Sequence, residues 1–204
     1  MKSSFFTVAQ IALLSTLGVN NADSNPLVNQ GLLMDGDEYL RREITGSGSG
    51  TLELIDSQTT RTVGVSTFDK TKMPAGQVMV LEAIRLAVAV VPSSDTASAA
   101  GQLYSTKYSE CPAVLRGAHF IIRQGGTTIV EIAVERLLNL GIVDGRIGDD
   151  AYSLPAFRLI QPETELQIQI RFPDAGAAVA FDAAKKIFIE LHLLGPKGQK
   201  VARA

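Results

Sequence analysis

What this sequence has little of narrows its chemistry first. It contains no tryptophan, one cysteine (Cys111) and two histidines (His119 and His192). A single cysteine excludes an intrachain disulfide and any cysteine-rich metal site. Two histidines are too few for the histidine-and-carboxylate metal cluster that β-barrel metalloenzymes build. The lack of tryptophan, with only four tyrosines, removes most of the aromatic platforms on which sugars stack. Neither charge sign dominates: 19 Lys+Arg against 21 Asp+Glu give a formal net charge of −2, so strong nucleic-acid binding is not expected. Before Arg41 the only basic side chain is Lys2, while Asp23, Asp35, Asp37 and Glu38 are acidic. An arm that neutralised nucleic-acid phosphates would have the opposite composition.

What is present is the material of one globular domain. Across 204 residues, 46% are hydrophobic and 20% charged, enough to bury a core and far from the composition of disorder. The start, MKSSFFTVAQIALLSTLGVNNADS, has a lysine, an apolar run from Phe5 to Val19 and small residues near Ala22, as a secretory signal does. The run is interrupted by Thr7, Gln10, Ser15 and Thr16 and is short for a bilayer. Phe6, Ile11, Leu14 and Leu17 instead suit one wide helical face, so a retained helix that docks on a protein or lipid surface is expected. Residues 1–43 are read as this helix and a polar connector arm, 44–195 as one β domain and 196–204 as a short basic tail with Lys197, Lys200 and Arg203. The glycine-rich ITGSGSGT, Ile44 to Thr51, reads as a linker or an edge strand.

Within the domain the period is two. In ETELQIQIRF, Glu163, Glu165, Gln167, Gln169 and Arg171 alternate with Thr164, Leu166, Ile168, Ile170 and Phe172, giving one wet and one buried face. In KKIFIELHLLG, Ile187, Ile189, Leu191 and Leu193 share a side opposite Lys186, Glu190 and His192. VMVLEAIRLAVAVV, Val78 to Val91, is apolar on both faces apart from Glu82 and Arg85, as a strand inside a sheet would be. HFIIRQGGTTIVEIAV predicts a hairpin whose turn is Gly125–Gly126, with Gln124 facing Thr127, Ile122 facing Ile129 and Phe120 facing Glu131. ERLLNLG, residues 135–141, reads as a short helix ended by Gly141. Many short strands, glycine and proline turns and little helix predict an all-β antiparallel sandwich or barrel.

No constellation points to catalysis. Cys111 has no adjacent base, and His119 eight residues on reads as a strand residue. The acidic loops DGDE (Asp35 to Glu38) and DGRIGDD (Asp144 to Asp150) lack the ligand spacing of a calcium loop and read as solvated turns. The glycine runs GSGSG and GLLMDG are not followed by lysine and a helix, so they make no phosphate cradle. Glu163 and Glu165 belong to a polar stripe continued by Gln167 and Gln169 and do not read as a glycosidase pair. No catalytic, cofactor-binding or metal-ligating residue is therefore assigned, and no cofactor is expected.

Three segments together carry a resemblance: KMPAGQVMVLEAIRLAVAVV, FIIRQGGTTIVEIAV, and the pair LPAFRLIQPETELQIQIRFP with KKIFIELHLLG. As a strand pattern over residues 44–195 the chain resembles the jelly-roll capsid proteins of tailless icosahedral DNA phages whose shells enclose a membrane. The resemblance implies an eight-stranded jelly roll, no catalytic residues, and a self-assembling subunit of the virion shell, either a major capsid protein or a minor vertex protein. It implies partners that are copies of itself, other capsid proteins and an internal lipid membrane. Many members of that lineage carry two jelly rolls in one chain, and this length holds one. The alternative is a jelly-roll module that binds carbohydrate or protein, in a secreted setting; an enzyme on a cupin-like barrel is a third reading, disfavoured by the histidine count.

Overall fold

A computed structural model describes residues 31–44, 50–139, 150–173 and 181–200. The helix expected within residues 1–19, Gly141, and Asp144 to Asp149 lie outside the described residues. Eight strands follow one another along the chain: β1 (Gly31–Ile44), β2 (Thr51–Glu53), β3 (Gln77–Pro92), β4 (His119–Gln124), β5 (Thr127–Ala133), β6 (Tyr152–Ile160), β7 (Leu166–Arg171) and β8 (Lys185–Lys200). They form two four-stranded antiparallel sheets, ordered β1-β8-β3-β6 and β2-β7-β4-β5. Between the sheets lies one core. Leu40, Ile84, Leu86, Ile189 and Leu191 enter it from the first sheet, and Phe120, Ile122, Val130, Ile168 and Ile170 from the second. The all-β, two-sheet expectation therefore holds.

The period-two reading places the inner faces correctly. Leu166, Ile168 and Ile170 are buried on β7, and Ile187, Ile189, Leu191 and Leu193 on β8. Strand β3 lies between β8 and β6 and is buried on both faces along much of its length, which accounts for its unbroken apolar character. Gly125 and Gly126 make the β4–β5 turn with φ of 55° and 82°, values that suit glycine.

Five expectations need correction. Residues 31–43, read as connector, are strand: β1 pairs with β8 from Gly31–Lys200 to Ile44–Ile187, and Leu40 and Ile44 reach the core. By the same pairing Pro196–Lys200, read as tail, is the end of β8. Both segments read as polar connector and tail because the partners of their charges lie far off in the sequence: His192 for Asp37, Lys197 for Glu38 and Glu190 for Arg41. In the hairpin, Ile122 faces Val130 and Phe120 faces Ile132, because the register slips between Ile122 and Arg123. The extra residue on β5 turns Glu131 away from buried Phe120, a position where a carboxylate would lose its water. Glu163 is not in a strand; it sits at φ 54° in the β6–β7 turn, and β7 begins at Leu166. Finally, the turn expected at 135–141 is a 3-10 helix over Val134–Leu137. A single-turn helix α1 (Ala113–Arg116) and 3-10 turns at Ala99–Gly101 and Tyr108–Glu110 are too short to leave a period in the sequence.

Candidate functional site

The densest polar constellation lies on the outer face of the first sheet. In register, Arg41 of β1 and Ala87 of β3 flank Glu190 of β8, while Tyr39 and Arg85 flank His192. Directly opposed residues of antiparallel strands share a face, so one stripe across three strands brings five ionisable groups together. Arg41 Nε donates to Glu190 Oε2 at 2.6 Å, and Arg85 Nη1 to Glu190 Oε1 at 2.5 Å. His192 Nε2 faces Glu190 Oε1 at 3.4 Å, and its Nδ1 lies 2.8 Å from Asp37 Oδ1. Glu190 is only 4% exposed. Short, charge-assisted bonds of this kind are the condition under which a buried carboxylate is tolerated.

Two loops are fastened to the same stripe. Arg41 Nη1 donates to the Gly64 carbonyl at 2.9 Å, and the Gly64 N–H donates to the Tyr39 hydroxyl at 3.0 Å. The Arg41 guanidinium also lies over the rings of Tyr39 and Tyr104, 5.5 and 5.7 Å from their centres. The Tyr104 hydroxyl donates to the Ala99 carbonyl at 2.7 Å. At the tips of these loops Val63 and Leu103 are 97% and 93% exposed.

The electrostatics follow from this geometry. Burial pushes the Glu190 carboxyl up, but the His192 imidazole beside it and the hydrogen bonds from Arg41 and Arg85 outweigh it and hold the group at about 2. Burial pulls His192 down, and the neighbouring Glu190 carboxylate and the bond to Asp37 more than restore it, so the imidazole is raised above its ordinary value. A carboxylate so firmly ionised is a poor proton shuttle near neutral pH. The bonds that Arg41 and Arg85 make occupy the oxygens that a metal ion would need. Among the described residues no three His, Cys, Asp or Glu side chains gather as a metal site. A second buried pair, Glu38 with Lys197, lies by a groove of about 270 Å³ lined by Met34, Phe68, Met73 and Pro74 and edged by Arg61 and Lys72.

The residues weighed from sequence are dispersed. Cys111 is buried, and burial raises its thiol to about 11, with Arg116 pulling only weakly the other way; such a thiol is inert. His119 is on the outer face of the second sheet, 3.6 Å from Glu131, which Arg171 also contacts at 2.9 Å. Of the DGDE stretch, Asp37 pairs with His192 and Glu38 with Lys197, so these carboxylates belong to ion pairs of the sheet, not to a solvated turn. Asp150 accepts from the Asn139 side-chain amide at 3.3 Å. Glu165 accepts from Gln167 and Glu53 from Gln169. Lys197, assigned to a basic tail, is consumed by Glu38 within β8.

Sequence reasoning missed the Glu190 cluster. The signal available was Glu190 and His192 recurring at spacing two on the face opposite the isoleucines, but nothing local says that two arginines from other strands stand beside them. No helix among the described residues is long and apolar enough to cross a membrane. No protein-family model matches the chain, and no curated protein is significantly similar to it.

Proposed function

We propose that this chain is a single jelly roll that serves as a self-assembling structural subunit of a virion shell, with assembly rather than catalysis as its activity. The observation that carries the reading is the strand order. Sheets of β1-β8-β3-β6 and β2-β7-β4-β5, in which every connection except β4–β5 passes from one sheet to the other, support the jelly-roll reading, an architecture common in viral capsid domains. Lectins and cupins share that architecture, so the site has to discriminate. The outer-face cluster is closed on itself by ion pairs, which favours a structural role. Val63 and Leu103, apolar and almost fully exposed on braced loops, are available for contact with neighbouring subunits.

On this reading the partners are copies of the chain and other capsid proteins, with an internal membrane beneath, and the chain acts as a major capsid protein or a minor vertex protein. Sedimentation and negative-stain microscopy of the full-length protein test the proposal. Particles of megadalton size are the expected result. A stable monomer or trimer that binds a sugar would replace it with the binding-module reading, and hydrolytic activity would overturn the structural reading altogether.

A further inference from the structure

We propose that His192 is a pH-operated fastener between β1 and β8, gripping Asp37 as an ion pair while the imidazole is charged and holding it only by a weaker neutral hydrogen bond when the proton leaves. The inference does not depend on the proposed function. It rests on the placement of both ring nitrogens. Nδ1 lies 2.8 and 3.1 Å from the two oxygens of Asp37 on β1, while Nε2, on the opposite edge of the ring, stands 3.4 Å from Glu190 Oε1 without a hydrogen bond. A neutral imidazole would keep its one proton on Nδ1, toward Asp37, and turn the Nε2 lone pair toward the Glu190 carboxylate. Only the imidazolium presents positive charge and an N–H to both sides.

The surrounding charges decide which contact gives way. From β3 comes Arg85, from β1 Arg41 and Asp37, and from β8 Glu190; the Tyr39 ring stands 5.7 Å from the imidazole. Both arginines bond to Glu190, so that carboxylate stays in place whatever the state of His192. Among the described residues no second cation is ion-paired with Asp37, and its side chain is half exposed, so it can turn to water. Loss of the proton therefore weakens the hold on the β1 side. The raised affinity of His192 for its proton agrees with this geometry. The stabilisation is fully present below the ordinary value of 6.5 and is lost as pH rises through the raised value of the folded state.

Exchange of the imidazole C2 hydrogen, followed by mass spectrometry on the full chain across pH, reads the titration of His192 with His119 as an internal reference. His192 is expected to titrate above 6.5, and Asp37→Asn to weaken its proton affinity by roughly threefold to fivefold, as for a partly exposed pair. Backbone amide exchange over Asp37–Tyr39 should quicken relative to β3 through the same pH range, and His192→Gln should abolish that step. Titration of His192 at or below 6.5 in the unmodified chain would overturn the idea. So would β1 amides that keep pace with those of β3 across the transition, a comparison that needs no variant.

Discussion

At the scale of single residues, Glu190 is the position where the balance of forces is tightest. Its carboxylate is tolerated because two guanidiniums and an imidazole replace the water it lost. Glu190→Gln would leave those cations without their counter-charge. The expected loss is about 2–3 kcal/mol, below that of a fully buried pair because both arginines keep partial access to solvent. A lower urea midpoint at unchanged slope would register it. The pH dependence has a definite sign. Because the carboxyl is held down at about 2, its contribution is present above its ordinary 4.5 and lost as pH falls toward 2. The variant should therefore show a flatter acid limb than the parent. Gly195 is constrained by space instead of charge. A Cβ there would stand 1.9 Å from the Val80 carbonyl oxygen, a backbone atom that cannot swing aside. Gly195→Ala should cost at least about 3 kcal/mol or prevent folding, measured by the same denaturation curves. Its tolerance would mean that β3 and β8 do not approach as described.

At the scale of elements, the β4–β5 hairpin shows turn chemistry and burial acting together. Gly125 and Gly126 both hold positive φ, and a Cβ on Gly126 would meet nothing within 4 Å. Any penalty at Gly126 is thus conformational and not steric. Gly126→Val should lose about 1–2 kcal/mol, whereas Gly126→Asn, which tolerates the left-handed region, should lose much less. Equal losses from the two variants, seen in thermal melts, would sink that explanation. The bulge that follows was hidden from the sequence because the run TTIVEIA pairs acceptably in either register when read alone. Only the requirement that Glu131 point away from Phe120 selects one. The polar start of β1 was misread for a related reason. Asp37, Glu38 and Arg41 look like a solvated connector until His192, Lys197 and Glu190 of β8 are set opposite them.

At the scale of the whole molecule, the two sheets are joined through their apolar faces, and the described core is drawn from residues between Leu40 and Leu193. Burial at about 25 cal/mol per Å² of apolar surface makes this core the chief source of stability. The apolar Phe5, Phe6, Ile11, Leu13, Leu14 and Leu17 lie far upstream of it in the sequence. A helix of that length is marginal in water without a surface to bury its apolar face. Deleting residues 1–19 should therefore leave a folded β domain that keeps its β-strand circular dichroism signal, while, on the proposed function, sedimentation shows that particles no longer form. Particles of normal size from the shortened chain would show that assembly does not use the segment.

The inner faces of β7 and β8 and the glycine turn were legible in local spacing, because alternation and positive φ depend on residues close together in the chain. Leu166–Phe172 and Ile187–Leu193 declare their faces in this way, whereas Val78–Val91 declares only that it is buried. The strand order, the bulge at β5 and the union of Arg41, Arg85, Glu190, His192 and Asp37 were decided only by the tertiary fold. Glu190 lies 149 residues from Arg41 and 105 from Arg85. Contacts over such separations are chosen by how whole sheets bury their faces and pair their charges, and no period along the chain encodes that choice.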